Sequence, residues 1–512
     1  MSEPSRFDAA AILSRLAAYR AHDAATHGGR VLSYVYDSGL PELDSLAADA
    51  ARMVQPVNGL DPTTFPSVAM MEGDLVAFGR RMLNGPQATG SITSGGTESC
   101  LLAVKAARDV WREHHPQAPG RPKVVITSAT HAAFRKAAHY CGLDVQVVPV
   151  SPGTGQPSVA AMIEALDHTV ALVVVSAPSY PHGVIEPVEA VAAAAQERGI
   201  GCHVDACIGG WILPWWTVAG GGSVPAWDFR VPGVTSISAD LHKYGYAPKG
   251  ASLLLFADAA MDRARYFALT EWLGYPVVNP TVLGSRSATS LAAAWSIVQA
   301  LGESGYAERA TQVVQATDAV LAAVAAIDGL SVHGRPVGPL IAVCSDPDAS
   351  PEQAVDPHQW AAAVAQRGFI LQGQPGLVQS DGTVIARTTH LTITPATLGV
   401  LDELIAALRA GAEDVREAFM PAHTVAGTGA PDAADSAGGA DSAGAADSAG
   451  GAGNTQTPAN GIPDPAELAN LARETGEIDL ASVLTLIEVL PREQSAQLLT
   501  SFLAEFTAPR AH

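Results

Sequence analysis

Between residues 90 and 260, short apolar runs alternate with segments that carry apolar residues at helical spacing. Parallel strands joined by crossover helices give this alternation. It predicts an α/β layer rather than a helical bundle or a sandwich. The candidate strands are KVVIT (123–127), VQVVPV (145–150), ALVVVSA (171–177), GCHVDA (201–206) and ASLLLF (251–256).

The rest of the chain changes character at recognisable points. Long helical patterns and a few β-like runs after the α/β layer indicate a smaller α+β domain. An Ala, Gly, Ser and Asp stretch then buries too little apolar surface to order, so we expect a flexible linker. The predicted organisation is an N-terminal helical segment (1–85), a large domain (86–290), a small domain (291–421), a linker (422–461) and a C-terminal pair of helices (462–512).

Charge and cysteine usage exclude several classes of function. With 30 Lys and Arg against 51 Asp and Glu, the net charge of −21 disfavours nucleic acid and anionic lipid as partners. The five cysteines are scattered and form no CxxC pair, so we expect no metal site and no disulfide framework, and a reducing cytoplasm. No apolar run is long enough for a membrane span.

Two segments place reactive side chains after strands. SISADLHKYGYAPKG (236–250) carries Lys243, and a lysine becomes a nucleophile when burial and nearby positive charge lower its pKa. A lysine beside a histidine is, taken alone, more often on the surface. HVDAC (203–207) carries Asp205 at a strand end, where ligands of open α/β sheets bind. An isolated aspartate there is more often a turn residue.

Two further segments are consistent with a phosphate-bearing aromatic ligand. TSGGTESC (93–100) is a glycine-rich turn before a helix that begins near Thr97, and its backbone amides could hold a phosphate or only cap the helix. His131, after KVVITS, could lie over an aromatic ring or serve a structural role. Each segment is weak evidence alone.

In this order, GGTES, THAAF, HVDAC and SISADLHKYGYAPKG resemble the sphingosine-1-phosphate lyase family, within the group II branch of pyridoxal-5′-phosphate (PLP) dependent decarboxylases. The resemblance runs from about residue 30 to 415. It implies the PLP-dependent transferase fold of type I, with a mostly parallel seven-stranded sheet in the PLP-binding large domain and a small α+β domain. It also implies a homodimer with shared active sites.

The resemblance carries roles to individual residues. Lys243 would bind PLP as a Schiff base, Asp205 would pair with its pyridinium nitrogen, and His131 would stack on its ring. The cofactor phosphate would lie near residues contributed by several segments: Gly96, Thr97, His242, Ser238 and, from the second subunit, Ser285. The substrate would meet three residues: Tyr36, Asp61 and Lys249.

Two departures from the family pattern bear on the substrate. Asp61 stands where the family carries a histidine that helps to hold the substrate phosphate. A carboxylate facing a phosphate would cost roughly 1 to 4 kcal/mol, depending on the local dielectric. The loop GSRSA (284–288) also departs from the family's GSRPG.

Three functions therefore stay open. The first is a PLP-dependent carbon–carbon lyase that releases an aldehyde from a β-hydroxy amine or its phosphate, as in sphingolipid-like metabolism. The second is an amino-acid α-decarboxylase on the same scaffold, because PLP chemistry depends on which bond stands perpendicular to the ring. The third is an inactive scaffold that binds partners through its C-terminal helices.

Overall fold

The computed structural model describes residues 7–419, 464–475 and 480–508. Helices and strands alternate through most of this length. The helices are α1 (Ala9–Arg20), α2 (Pro41–Met53), α3 (Pro66–Met82), α4 (Gly96–His114), α5 (Ala133–Cys141), α6 (Val159–Glu164), α7 (Val188–Glu197), α8 (Leu213–Trp216), α9 (Ala259–Arg263), α10 (Thr289–Ala325), α11 (Pro357–Ala365), α12 (Leu401–Phe419), α13 (Pro465–Thr475), α14 (Leu480–Val489) and α15 (Arg492–Thr507).

Most strands belong to one large sheet or to one smaller sheet. The strands are β1 (Thr89–Thr93), β2 (Lys123–Thr127), β3 (Asp144–Val148), β4 (Val170–Ser176), β5 (Gly201–Asp205), β6 (Ser236–Ala239), β7 (Ser252–Phe256), β8 (Phe267–Leu269), β9 (Val277–Asn279), β10 (Leu330–Val332), β11 (Leu340–Ser345), β12 (Gln372–Gln374), β13 (Leu377–Val378), β14 (Val384–Ile385) and β15 (Thr388–Thr392).

The large sheet has seven strands in the order β1-β7-β6-β5-β4-β2-β3. Strands β2 to β6 run parallel, whereas β7 pairs antiparallel with both β6 and β1. Every residue of β4 to β7 is buried, as expected for a sheet with helices on both faces. The predicted fold class, a mostly parallel seven-stranded sheet, is confirmed.

The two faces of the sheet contribute to separate parts of the core because successive side chains alternate across a strand. On β4, Val173 and Val175 belong to the largest apolar cluster, which includes residues of α7 and α10. Val174 points to the opposite face and shares a second cluster with Val104 of α4 and Phe134 of α5. The strands are therefore fixed between two helical layers.

The small domain contains an antiparallel sheet of four strands in the order β10-β11-β15-β12. Helix α10 leads into it and is interrupted at Gly302, where the backbone has a φ of 55°. Helix α11 begins with Asp356, which accepts hydrogen bonds from the amides of His358 and Gln359, followed by Pro357. The expected small α+β domain is confirmed.

The chain divides into two compact units. One comprises residues 23–415, and the other comprises the described residues 7–22, 416–419, 464–475 and 480–508. The described residues of the C-terminal segment form three helices, α13 to α15, where the sequence predicted a pair. The predicted linker, 422–461, lies outside the described residues, and the domain boundaries stay predictions. None of the described helices is long and apolar enough to cross a membrane.

Candidate active site

A cavity of about 580 Å³ opens where β4 and β5 of the large sheet end. Its wall combines residues from the N-terminal segment, the large domain and the small domain. Eight of the residues predicted from the sequence line it: Tyr36, Gly96, Thr97, His131, Asp205, His242, Lys243 and Lys249. The carboxyl ends of parallel strands thus form the site, as in other open α/β sheets.

Lys243 follows β6 and lies beside a buried carboxylate. Its Nζ is 3.0 Å from Oδ2 of Asp240, which also lies 3.5 Å from Nε2 of His242. Burial has the largest single effect and would lower the pKa of Lys243, but the acidic groups around it, led by Asp240, together outweigh burial and hold this pKa well above the usual range. The sequence argument expected positive surroundings that lower this pKa, and the structure corrects that expectation.

Asp240 itself is 2% exposed at its side chain. Burial would raise its pKa, yet the charges of Lys243 and His242 lower it overall, so it is a carboxylate. Its Oδ1 has no hydrogen-bond partner among the described residues. Asp240 was not predicted from the sequence, although it lies within the lysine segment, because an acid three residues before a lysine usually indicates only a surface ion pair.

Asp205 is the last residue of β5 and is 8% exposed. Its register partner on β4 is Ser176 and its register partner on β6 is Ser238. The backbone amide of Cys207 donates to Oδ1 at 3.1 Å, which fixes the carboxylate. The second carboxylate oxygen of Asp205 receives no hydrogen bond among those found in the described part of the chain.

The GGT turn forms a tight cradle at the N-terminus of α4. Gly95 has a φ of 150°, and a Cβ on Gly96 would lie 2.6 and 2.8 Å from the carboxylate oxygens of Asp240. Glu98 holds the turn because its Oε2 accepts from the Ser94 amide at 2.6 Å and its Oε1 accepts from the Val282 amide. The first amides of α4 therefore remain for an anion.

His242 and His131 contact the cavity in different ways. His242 lies within 3.4 Å of a Cβ placed on Gly95, and its buried Nδ1 has no partner among the described residues. Burial lowers its pKa, and Lys249 and Lys243 lower it further against the opposing charge of Asp240. His131 is exposed at the start of α5, where its Nδ1 accepts from the Ala133 amide at 3.2 Å.

Tyr36 and Lys249 meet on another part of the wall. The Nζ of Lys249 lies 4.7 Å from the centre of the Tyr36 ring, a cation–π contact, and donates to the His242 carbonyl at 3.1 Å. Burial lowers the pKa of Lys249, and the charge of Lys243 lowers it further. Burial raises the pKa of the Tyr36 hydroxyl.

A hydrogen-bonded chain of three side chains also lines the cavity and was not predicted. The Tyr180 hydroxyl donates to Oε1 of Gln372 at 2.5 Å, and Nε2 of Gln372 donates to the Tyr34 hydroxyl at 2.8 Å. These residues come from the large domain, the small domain and the N-terminal segment. Their separation along the chain left no sequence signal that could have grouped them.

Three predicted residues lie away from this cavity. Ser238 is fully buried, and its Oγ contacts Nε2 of His203 at 3.1 Å and Sγ of Cys207 at 3.3 Å. Its hydroxyl thus contacts core residues below the site, and a role for Ser238 beside the cofactor phosphate stays a prediction. The Ser285 hydroxyl accepts from Asn58 at 3.3 Å within the same chain.

The third is Asp61, whose carboxylate is satisfied by its own loop. Oδ1 accepts from the amide and the hydroxyl of Thr63 at 2.9 and 2.6 Å, and Oδ2 accepts from the hydroxyl of Thr64 at 2.9 Å. These hydrogen bonds, led by the Thr63 hydroxyl, lower the pKa of Asp61. Within one chain, Asp61 is not among the residues that line the cavity, and its predicted contact with substrate stays a prediction.

The residues present fit PLP on their own geometry. The glycine cradle and the first amides of α4 suit a phosphate, the open oxygen of Asp205 suits a protonated ring nitrogen, and Lys243 lines the same cavity. The orphaned Nδ1 of His242 is a further buried polar atom that a bound group could satisfy.

The fold and this site together define the class of PLP-dependent enzymes with fold type I. A family model described as the pyridoxal-dependent decarboxylase conserved domain matches residues 27–340. The chain therefore belongs to the pyridoxal-dependent decarboxylase family, whose cofactor is PLP.

Curated and solved relatives refine this assignment. The chain is 38% identical over 309 residues to the sphingosine-1-phosphate lyase of Dictyostelium discoideum, covering 60% of this chain and 58% of that protein. It is 37% identical over 338 residues to sphingosine-1-phosphate lyase 1 of Rattus norvegicus, covering 66% and 59%. The chain thus spans less than two thirds of the length of these curated relatives.

Two solved structures are similar in fold. A sphingosine-1-phosphate lyase of Burkholderia pseudomallei matches with a TM-score of 0.73 and 34% identity, covering 81% of this chain and 93% of that chain. Glutamate decarboxylase of Lactobacillus brevis matches with a TM-score of 0.70 at 19% identity, covering 82% and 96%, which shows the shared fold alone. The resemblance to the sphingosine-1-phosphate lyase family is confirmed.

Proposed function

We propose that this protein is a PLP-dependent carbon–carbon lyase that cleaves a β-hydroxy amine, or its phosphate, by a retro-aldol reaction. The observation that carries this proposal is its similarity to a solved sphingosine-1-phosphate lyase over nearly the whole of that chain. The cavity adds the required cationic, carboxylate and anion-binding groups in one place. The products would be an aldehyde and a smaller amine or its phosphate.

The chain's own residues would divide the work as follows. Lys243 would hold the cofactor covalently, Asp205 would keep a proton on the ring nitrogen, and His131 would cover one face of the ring. Gly96, Thr97 and His242 would bind the cofactor phosphate. When bound, PLP supplies the electron sink that allows a bond to the amine-bearing carbon to break.

Lys249 is the residue we assign to an anionic group on the substrate. It lies in the cavity wall, and its ammonium group contacts the Tyr36 ring. A charge-assisted hydrogen bond from such a lysine to phosphate contributes about 1.5 to 3 kcal/mol. Tyr36 would fix the lysine and form part of the cavity entrance.

We propose that the working form is a homodimer in which each subunit completes the other's site. The support is a cluster of exposed apolar side chains on and beside the β8–β9 hairpin. Its members are Trp272 (48% exposed), Leu273 (107%), Tyr275 (56%), Val278 (58%) and Val282 (57%). A soluble monomer rarely exposes so many large apolar side chains together. Ser285 would reach the partner's cofactor from the adjoining loop, and light scattering would give the subunit number.

A cytoplasmic location is also part of the proposal. All five cysteines are free thiols, and four of them are buried. Free thiols persist in a reducing compartment.

The function is tested by a product assay on sphinganine-1-phosphate with PLP-loaded protein, comparing wild type, Asp61→His and Lys243→Ala. The aldehyde is trapped and quantified. Turnover by the wild type but not by Lys243→Ala supports the lyase. Turnover only after Asp61→His means that the chemistry is right and the natural substrate carries no phosphate.

The same preparations test the alternative, an amino-acid α-decarboxylase. Carbon dioxide release from a panel of amino acids, without any aldehyde from phosphorylated or unphosphorylated β-hydroxy amines, would replace the lyase proposal with this one. An absence of both products, with PLP bound to Lys243, would overturn both. Failure to bind PLP at all would favour the inactive scaffold.

A further inference from the structure

Two thiols converge on the carboxylate that we assign to the cofactor ring. Cys100 lies at the start of the second turn of α4, and Cys207 follows β5 two residues after Asp205. The two sulfur atoms and a carboxylate oxygen of Asp205 all lie within 4.8 Å of one another. Both thiols are buried, at 1% and 8% exposure, yet all three residues line the cavity.

The chemistry of these three donors suits a thiophilic divalent cation. Zinc binds thiolate sulfur at about 2.3 Å and carboxylate oxygen at about 2.0 to 2.2 Å, in a tetrahedral arrangement. Two sulfur atoms bound to one zinc ion then lie about 3.8 Å apart. The present donor atoms would therefore need to move closer to one another by at most about 1 Å. Three protein ligands would leave a fourth position open to the cavity.

Hydrogen bonds hold two of the donors in place. The Cys207 amide donates to Oδ1 of Asp205, and Sγ of Cys207 donates to the Ser238 hydroxyl at 3.3 Å. Lys243 lines the same cavity.

We propose that Cys100, Asp205 and Cys207 form an inhibitory binding site for zinc or a similar thiophilic cation in the cofactor-free protein. Binding forms two metal–sulfur bonds and releases the two thiol protons to solvent, with no change of oxidation state. Because the cation binds the Asp205 carboxylate, which we assign to the ring nitrogen of PLP, it excludes PLP. The cation site stands independently of the lyase reaction, whereas the competition rests on the assigned position of PLP.

Spacing in the sequence gives no sign of this site. The donors come from a helix and from a strand end more than 100 residues later, and no CxxC or histidine pair marks them. The expectation of no metal site followed from motif spacing, which detects only ligands that are near each other along the chain.

The test uses the full-length protein freed of PLP and titrated with Co²⁺, a spectroscopic substitute for Zn²⁺. We expect one equivalent of Co²⁺ to give a thiolate-to-cobalt charge-transfer band in the wild type. The band should be lost in Cys100→Ala and in Cys207→Ala. It should be retained in Cys344→Ala, since Cys344 is a buried thiol of β11 that contacts Ser331 instead.

Competition provides the second measurement. Zinc should slow the appearance of lysine-bound cofactor absorbance in the wild type and in Cys344→Ala, and should have no effect on Cys100→Ala. Thermal midpoints check that each variant is folded. A wild type without the charge-transfer band, or a band that survives in both cavity variants, would overturn the site. Zinc binding that leaves the PLP uptake rate unchanged would overturn the competition.

None of these measurements uses a substrate. A wild type that gives no cobalt band therefore contradicts the cation site alone, whereas an absence of aldehyde in the product assay contradicts the lyase alone.

Discussion

Replacing Asp240 by asparagine should increase the rate at which cofactor-free protein takes up PLP at neutral pH. Under the proposed function, the neutral amine of Lys243 is the nucleophile that binds PLP, and Asp240, 3.0 Å from its Nζ, favours the protonated form. Two unit charges at this distance attract by about 5.5 kcal/mol at an effective dielectric of about 20. Asparagine keeps the shape and removes the charge.

The net effect is smaller than the full attraction. Lys243 is 21% exposed at its side chain, so water screens part of the interaction, and the amide oxygen still accepts a hydrogen bond. Removing one partner of a buried ion pair typically destabilises the fold by about 3 to 5 kcal/mol. If the preference of Lys243 for its protonated form falls by only about 1.4 kcal/mol, the fraction of neutral amine rises tenfold. We expect cofactor uptake at pH 7 to be at least roughly tenfold faster.

The assay follows the absorbance of lysine-bound cofactor after PLP is mixed with the cofactor-free variant, over a range of pH. The wild-type rate should rise with pH over a wide alkaline range, and the variant should reach its plateau at lower pH. Asp228→Asn is the matched control, because Asp228 is also 2% exposed and pairs with Arg230 at 2.8 Å, outside the cavity.

The same variant has a predictable stability. Because folding raises the pKa of Lys243, the ion pair stabilises the fold below about pH 10.4, and this contribution is lost as pH rises through the folded-state pKa. Asp240→Asn should therefore lower the thermal midpoint at pH 7. The reasoning is refuted if a folded Asp240→Asn protein takes up PLP no faster than the wild type, with an unchanged pH profile.

Three other predictions follow from the contacts described above. Gly96→Ala should abolish stable PLP binding because its Cβ would collide with Asp240, and retained cofactor absorbance measures the loss. Gly73→Ala is the control and should leave PLP binding intact, because the space around Gly73 is open. Burial lowers the pKa of His182 and of His390 to about 3. As the pH falls below about 6.5, the free energy of unfolding should therefore decrease by up to about 1.4 kcal/mol per pH unit for each histidine. Urea titrations of His182→Gln should show a shallower decrease. Lys249→Gln should raise KM for a phosphorylated substrate at least roughly tenfold and leave PLP binding intact, and an unchanged KM would remove Lys249 from the substrate site.

Aliphatic runs predicted the central strands well because these strands are buried on both faces. Strands β4 and β5 coincide with the predicted runs to within one residue. Strand β1, with the sequence TGSIT, was not predicted, because glycine and hydroxyl residues replace the aliphatic ones at the sheet edge. The antiparallel direction of β7 could not be predicted, since strand direction depends on the connection and not on composition.

The site was predictable only where its residues lie in compact motifs. Asp205, His242 and Lys243 lie within two short segments, so the family resemblance identified them together. Tyr180 and Gln372, in contrast, meet only because the small domain brings β12 to the cavity. Side-chain direction was also beyond the sequence, as Ser238 shows by facing the core.

Asp61 shows how a local structure changes the meaning of a substitution. As a replacement for a phosphate-binding histidine, an aspartate implies repulsion of the substrate. Its carboxylate instead accepts three hydrogen bonds from Thr63 and Thr64, which order the loop ahead of α3. Turning it towards a phosphate would forfeit these hydrogen bonds. Under the proposed function, the substitution would therefore remove a cation from substrate binding without adding an anion, and it would leave Lys249 as the cation that we propose for phosphate recognition.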